Sequence, residues 1–238
     1  MPKSERVIRL RAESLEAAPY ISTERAQLMT EFYNKDTGLV STVMQRALAF
    51  AHFIENRTIY INPGELIVGE KGPAPKAAPT FPELCCHSLE DLDILDSREK
   101  IPFAVSPEAR AVYKEEIIPF WTGRSMRDLI FKEMSAEWLA AYNAGIFTEF
   151  MEQRAPGHTV LDDKIYHKGF FDFKVDIQRS LDNLDYMADP QAYAKGEELK
   201  AMLVCADALI RFGERHAEEA ETLAERETDP QRRGELER

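Results

Sequence analysis

The chain has 238 residues and a formal net charge of −12, with 44% hydrophobic and 30% charged residues. This composition is typical of a folded globular protein and excludes a disordered chain. The acidic balance argues against nucleic acid and anionic membranes as partners, because both need a basic face. Three cysteines form no disulfide framework, and neither a signal core nor a membrane-spanning run occurs, so we expect a cytoplasmic protein.

In the first half of the chain, the apolar spacing predicts three helices. They cover residues 5–17, 22–33 and 41–56, with Ser22 and Ser41 as N-caps. Residues 58–70 change to a β-type pattern with a turn at 62–64. Four prolines then predict an irregular loop over 71–82.

Helix-start signals recur in the second half of the chain. The predicted helices begin after Ser88, Ser106, Ser125, Ser135, Asp189 and Asp229. The helix over 189–228 would be longer than a globule of this size is wide. We therefore expect it to need neighbours outside the chain, to expose part of its apolar stripe, and to belong to a fragment of a longer protein.

Three groups of side chains could carry chemistry. Cys85-Cys86-His87 offers soft metal ligands, but no partner motif completes a zinc site, so we interpret the cysteines as buried small hydrophobic residues. Asp162-Asp163-Lys164 could perform acid–base work or hold a cation, and a solvated turn is the favoured alternative. Asp172 and Asp176, one helical turn apart, indicate an exposed helix face.

A histidine follows the turn-forming pair Pro156-Gly157. His158 therefore stands on a loop just after an apolar helix, where an imidazole that titrates near neutral pH is well placed for catalysis. On the local pattern alone, a loop histidine that bonds a backbone carbonyl is the favoured alternative.

Several sequence runs occur together in one order: residues 21–26, 55–57, 64–70, 82–87 and 152–159. As a set, they resemble the N-terminal region of the pyruvate formate-lyase-like glycyl radical enzymes, and the resemblance covers essentially the whole chain. The runs 154–159 and 168–173 most resemble the hydroxyproline dehydratases of that superfamily.

The resemblance implies a fold and a chemistry. The expected fold is mainly α with a few short strands, as the N-terminal helical part of a ten-stranded α/β barrel, and residues 1–238 are expected to be the N-terminal portion of one such domain. Family members use a backbone glycyl radical, installed by a radical S-adenosylmethionine activating enzyme, to form a thiyl radical on a loop cysteine. That radical abstracts a substrate hydrogen. The implied partners are a small-molecule substrate, the activating enzyme and a second copy in a homodimer.

The sequence departs from the family pattern at the reacting groups. The glycyl motif and the Cys-x-Glu loop are absent, and Cys205 with Asp207 falls inside the predicted long helix. The chain alone is therefore expected to be inactive and to bind neither cofactor nor metal. Only two residues match positions to which the resemblance assigns a role. His158 is implied to contact the substrate hydroxyl and help it leave as water, and Phe150 is implied to line the same pocket.

The leading hypothesis is thus the N-terminal part of a dehydratase that eliminates water from trans-4-hydroxy-L-proline. One alternative is another glycyl radical lyase, acting on a diol, choline or a sulfonate, or a formate acetyltransferase-like enzyme. A second alternative is a non-catalytic helical module that binds a partner.

Overall fold

The structure, a computed structural model, describes residues 4–35, 38–68, 70–147 and 162–238. These ranges are mainly helical with two short strands, as expected from the sequence. The α-helices are α1 (Glu5–Glu16), α2 (Glu24–Asn34), α3 (Thr42–Asn56), α4 (Leu89–Ser97), α5 (Pro107–Val112), α6 (Ile118–Trp121), α7 (Met126–Glu133), α8 (Ala136–Asn143), α9 (Phe170–Asp182), α10 (Ala192–Arg226) and α11 (Pro230–Leu236). The other elements are β1 (Tyr20–Ser22), β2 (Ala77–Pro79), a π-helical turn (Tyr113–Ile117) and a 3₁₀ helix (Asp162–Tyr166). Of the described helices, none combines the length and apolarity needed to cross a membrane.

Serine caps confirm most of the predicted helix starts. The hydroxyl of Ser41 accepts a hydrogen bond from the amide of Met44 at 3.3 Å. In the capping box of α4, the Ser88 hydroxyl accepts from the amide of Asp91 at 3.1 Å, and the Asp91 carboxylate accepts from the amide of Ser88 at 2.8 Å. Similar caps begin three further helices, at Ser106, Ser125 and Ser135. These bonds join residues three positions apart, so the local sequence contains both partners.

The predicted start of α2 at Ser22 is wrong. Ser22 is buried and pairs with Pro79 in the parallel ladder between β1 and β2, and Thr23 is the N-cap instead. The Thr23 hydroxyl donates to the side chain of Gln27 at 3.0 Å rather than capping the helix. Pairing with a distant strand outweighs the local capping preference of a serine.

The strand prediction for residues 58–70 is also wrong. The described residues of this segment form no strand, and they turn at Gly64, which has a φ of 85°. Arg9 of α1 donates to the carbonyl of Pro63 at 3.2 Å, and a Cβ on Gly64 would lie 2.0 Å from the Arg9 side chain. A strand needs a hydrogen-bonded neighbour, and β1 pairs with β2 instead of with residues 58–70. β2 itself lies inside the segment 71–82, predicted to be an irregular loop.

The main core lies where α2 packs against the π-helical turn and α6. Ala26 of α2 and Tyr113 and Ile117 of the turn are fully buried, and Trp121 of α6 is 5% exposed. The indole of Trp121 donates to the hydroxyl of Thr30 at 2.8 Å. This bond satisfies the polar atom of a large buried aromatic side chain, so the ring contributes its full apolar area to the core.

The long helix α10 has 35 residues and packs against α3, α9 and α11. Its buried positions are occupied by small residues, which allow close approach of the neighbouring helices; they are Ala192, Gly196, Ala201, Ala206, Ala208 and Ala224. Much of its length therefore has neighbours inside the chain, and its need for neighbours outside the chain stays a prediction. The prediction of a partly exposed stripe is confirmed, because Met202 remains 46% exposed.

Candidate active-site region

The two predicted site residues, Phe150 and His158, lie outside the residues that the structure describes. Their roles therefore remain predictions. The structure does place both flanks of residues 148–161. Phe147 precedes them at the end of the α7–α8 hairpin, and the 3₁₀ helix beginning at Asp162 follows them.

A cluster of aromatic rings fixes the preceding flank. Trp138 and Tyr142 of α8 stack with an interplanar angle of 4° and centroids 5.5 Å apart. Phe147 packs on Trp138 at 5.0 Å, and Phe131 of α7 meets both rings of α8 edge-on. Arg127 lies 4.2 Å over the Phe131 ring and donates to the Tyr142 hydroxyl at 3.1 Å. These contacts hold Phe147 in place three positions before Phe150.

The following flank is polar and tied to α9. Asp163 and Lys164 are exposed, as expected for a solvated turn. The Asp172 carboxylate accepts a hydrogen bond from the amide of Gly169 at 2.9 Å and caps α9. Lys168 pairs with Asp176, which lowers the pKa of that carboxyl group. The two aspartates of α9 thus stabilise the helix start and its surface, in agreement with the helix-face interpretation.

The Cys85-Cys86-His87 segment packs beside the core. The side chain of Cys86 contacts the buried cluster that contains Tyr113, and burial raises the pKa of its thiol to about 12, with a further contribution from Asp128. Burial also lowers the pKa of His87. The described residues contain no group of three or more potential metal ligands. Cys86 is therefore a protonated, packed thiol at neutral pH, not a nucleophile.

Cys205 is similarly unsuited to act as the radical-carrying cysteine. It lies inside α10, not on a loop, and burial raises the pKa of its thiol. The carboxylate two residues later, Asp207, pairs with Lys174 of α9. The sequence-based distinction between this pair and the Cys-x-Glu loop is consistent with these positions.

The structure contains a part-buried ion pair that sequence reasoning missed. Arg25 of α2 donates to both carboxylate oxygens of Glu83, at 2.5 and 3.1 Å, and to the carbonyl of Thr80 at 3.0 Å. The two side chains are only 14% and 20% exposed, and the guanidinium lies 3.9 Å from the centre of the Phe81 ring. Arg25 and Glu83 belong to two of the runs that carry the family resemblance, but nothing in a single sequence pairs them.

The loop that carries Glu83 contacts both the core and the α7–α8 hairpin. The hydroxyl of Tyr113 donates to that of Thr80 at 2.6 Å, which joins the loop to the core. The backbone carbonyls of Glu83 and Leu84 accept from the first amides of α7, at 2.9 and 3.0 Å. The loop over 80–84 therefore connects the buried core to the hairpin that ends at Phe147.

Two further runs of the family resemblance, residues 55–57 and 64–70, contact each other at Arg57. Its guanidinium donates to the carbonyl of Glu70 at 3.3 Å and lies 5.4 and 5.1 Å from the rings of Phe53 and Phe212. Burial lowers the pKa of Arg57. Arg215 of α10 donates to the carbonyl of Arg57 at 2.8 Å. The part-buried Arg25 and the buried Arg57 thus form a scaffold that positions the neighbouring segments.

The comparisons with known proteins define the class. The family model of pyruvate formate lyase-like proteins matches residues 1–238. The chain belongs to this family.

Comparison with individual relatives shows which members of the family the chain resembles. The chain is 56% identical over 232 residues to trans-4-hydroxy-L-proline dehydratase of Clostridioides difficile, covering 98% of this chain and 29% of the relative. It is 32% identical over 229 residues to isethionate sulfite-lyase of Nitratidesulfovibrio vulgaris, covering 92% of this chain and 28% of the relative. The chain thus spans less than a third of the length of these curated relatives.

Solved structures agree with the sequence comparison. The crystal structure of hydroxyproline dehydratase from Clostridioides difficile, with trans-4-hydroxy-L-proline bound, superposes with a TM-score of 0.92 at 55% identity over 99% of this chain and 30% of that one. A Roseburia inulinivorans structure that concerns 1,2-propanediol dehydration gives a TM-score of 0.89 at 30% identity, over all of this chain and 28% of that one. The described helices therefore have the arrangement found in these enzymes.

Proposed function

We propose that residues 1–238 are the N-terminal portion of a glycyl radical dehydratase whose complete form eliminates water from trans-4-hydroxy-L-proline. The observation that carries this proposal is the 56% identity to such a dehydratase across 98% of the chain, against 32% to a sulfite-lyase. The Arg154–Thr159 run, which led to the same subgroup by resemblance, supports it independently of the helical scaffold.

In this proposal, the reacting radical groups belong to the part of the complete protein outside residues 1–238. They supply the abstraction of a substrate hydrogen atom. This chain contributes His158, which donates a proton to the departing hydroxyl so that it leaves as water, and Phe150, which lines the same pocket. The aromatic cluster and the Arg25–Glu83 pair hold the segment that leads to these residues.

The proposed partners follow from the same assignment. They are the small-molecule substrate, a radical S-adenosylmethionine activating enzyme that installs the glycyl radical, and a second copy of the complete protein in a homodimer. The proposed compartment is the cytoplasm, where an acidic protein with free thiols stays reduced.

A competition between substrates tests the proposal. The complete protein that contains this chain is activated under anoxia with its activating enzyme and S-adenosylmethionine. It is then given equal amounts of trans-4-hydroxy-L-proline, isethionate and 1,2-propanediol. We expect hydroxyproline alone to be converted, to a product lighter by one water, as measured by mass spectrometry. Preferential release of sulfite from isethionate, or dehydration of propanediol, would contradict the substrate assignment.

The isolated chain is the matched control. Residues 1–238 contain neither the glycyl motif nor the Cys-x-Glu loop, so under the same conditions we expect no product and no glycyl signal in electron spin resonance. A radical signal on the isolated chain would contradict the proposal that the reacting radical groups lie outside residues 1–238.

A further inference from the structure

An apolar trough runs between α3, α9 and α10, with the 3₁₀ helix at its edge. It has a volume of about 960 Å³ and is lined mainly by hydrophobic side chains. The members used below are Phe50 of α3, Phe173 of α9, and Leu199, Met202 and Leu209 of α10. The three helices are tied together at its sides, since Ser41 donates to Glu197 at 2.9 Å and Lys174 pairs with Asp207. The trough is thus a built feature of the packing.

No described segment of the chain covers the trough, although its lining is apolar. Met202 is 46% exposed, and Phe50, Phe173 and Leu199 are only half-buried. A continuous apolar groove of this size is unfavourable in water and marks a surface that another element covers. Three helices that surround a groove leave room for a fourth helix, whose side chains would complete a bundle-like core.

The rim of the trough indicates the chemistry of the missing element. Arg46 of α3, Lys164 of the 3₁₀ helix and Glu198 of α10 line the trough, and none of these three side chains forms an ion pair with any described residue. An occupant with both an acidic and a basic residue beside its apolar face would complement these charges. An amphipathic helix with apolar residues at i, i+3, i+4 and i+7 fits both the groove and its rim.

Two observations favour a helix of the same longer polypeptide over a second copy of this chain. In a two-fold pair, identical troughs would face each other, and two concave surfaces cannot fill one another. The same arrangement of this chain also exists within the hydroxyproline dehydratase crystal structure, of which it covers only 30%, so most of that polypeptide lies elsewhere in the fold.

We propose that the α3–α9–α10 trough holds an amphipathic helix from the part of the complete protein outside residues 1–238. This inference rests on the proposed function only in assuming that the chain belongs to a longer glycyl radical enzyme. It adds the contact through which the N-terminal portion is joined to the remainder.

Photo-cross-linking in the complete protein tests the contact. A benzophenone amino acid replaces Met202, inside the trough, or Arg46, on its exposed rim, where a large side chain leaves the packing intact. After irradiation, mass spectrometry identifies the linked peptides. We expect both positions to link to one segment outside residues 1–238, with a helical apolar period and charged residues of both signs beside it. Glu221, exposed on α10 outside the trough, is the control position and should not link to that segment.

Other outcomes overturn the proposal. Cross-links to a second copy, detected as a product of twice the mass, would assign the trough to an intermolecular interface. The absence of cross-links from both positions would show that it is open to solvent. The result is independent of turnover: a complete protein that fails to dehydrate hydroxyproline but links as expected refutes the substrate and keeps the contact, and the reverse result refutes only the contact.

Discussion

The Arg25–Glu83 pair offers a quantitative test of the scaffold. Removing one partner from a buried ion pair costs about 3–5 kcal/mol, because the other charge is left without compensation. Here the side chains keep 14% and 20% exposure, so water reaches the remaining group. We therefore expect Arg25→Ala and Glu83→Ala each to lower the free energy of unfolding by about 2–3 kcal/mol, which is less than the fully buried value.

The interaction itself is measured by a double-mutant cycle on the two residues. The pair is joined by two charge-assisted hydrogen bonds, and Arg25 also bonds the Thr80 carbonyl, which only its own replacement removes. We expect a coupling energy of about 1.5–2.5 kcal/mol from urea unfolding followed by circular dichroism. Arg11→Ala is the control, because Arg11 is exposed on α1, and it should change the stability by less than about 0.5 kcal/mol. A coupling below about 0.5 kcal/mol would mean that the pair behaves as a surface pair, and the scaffold argument would be refuted.

Three further predictions concern single residues. Tyr113→Phe removes the buried bond to Thr80 and should cost about 1–2 kcal/mol in thermal unfolding, whereas Tyr193→Phe, at a 72% exposed ring, should be neutral. Burial raises the pKa of Cys86 from 9.0 to about 12, so its thiol stays protonated at pH 8. Iodoacetamide should therefore alkylate Cys86 at least ~100-fold more slowly in the folded chain than in the unfolded chain, and the rate should rise as the pH approaches 12. Equal alkylation rates in the folded and unfolded chains would contradict the burial of this thiol. In the complete enzyme, His158→Gln should lower turnover by about 10²–10⁴-fold with unchanged radical content, while His167→Gln should be tolerated; a change of only a few-fold at His158 would make it a structural residue.

Sequence reasoning was most successful for features with short-range causes. The starts of α3, α4 and α8 depend on serine hydroxyls that bond amides three residues away. The family resemblance rests on runs of a few consecutive residues, and the comparisons confirm it over the whole chain. In both cases the deciding partners lie within one short segment of sequence.

The tertiary structure decided the features that depend on distant partners. The β-type residues over 58–70 form no strand in their described part, whereas Tyr20–Ser22 pairs with Ala77–Pro79 because the fold brings these two segments together. Likewise, Arg25 and Glu83 are ordinary charged residues in the sequence, and only the packing of α2 against the 80–84 loop makes them a part-buried pair. A side chain's periodicity records its own preference for a face or a cap, but burial and pairing are set by whichever residues the rest of the chain places opposite it.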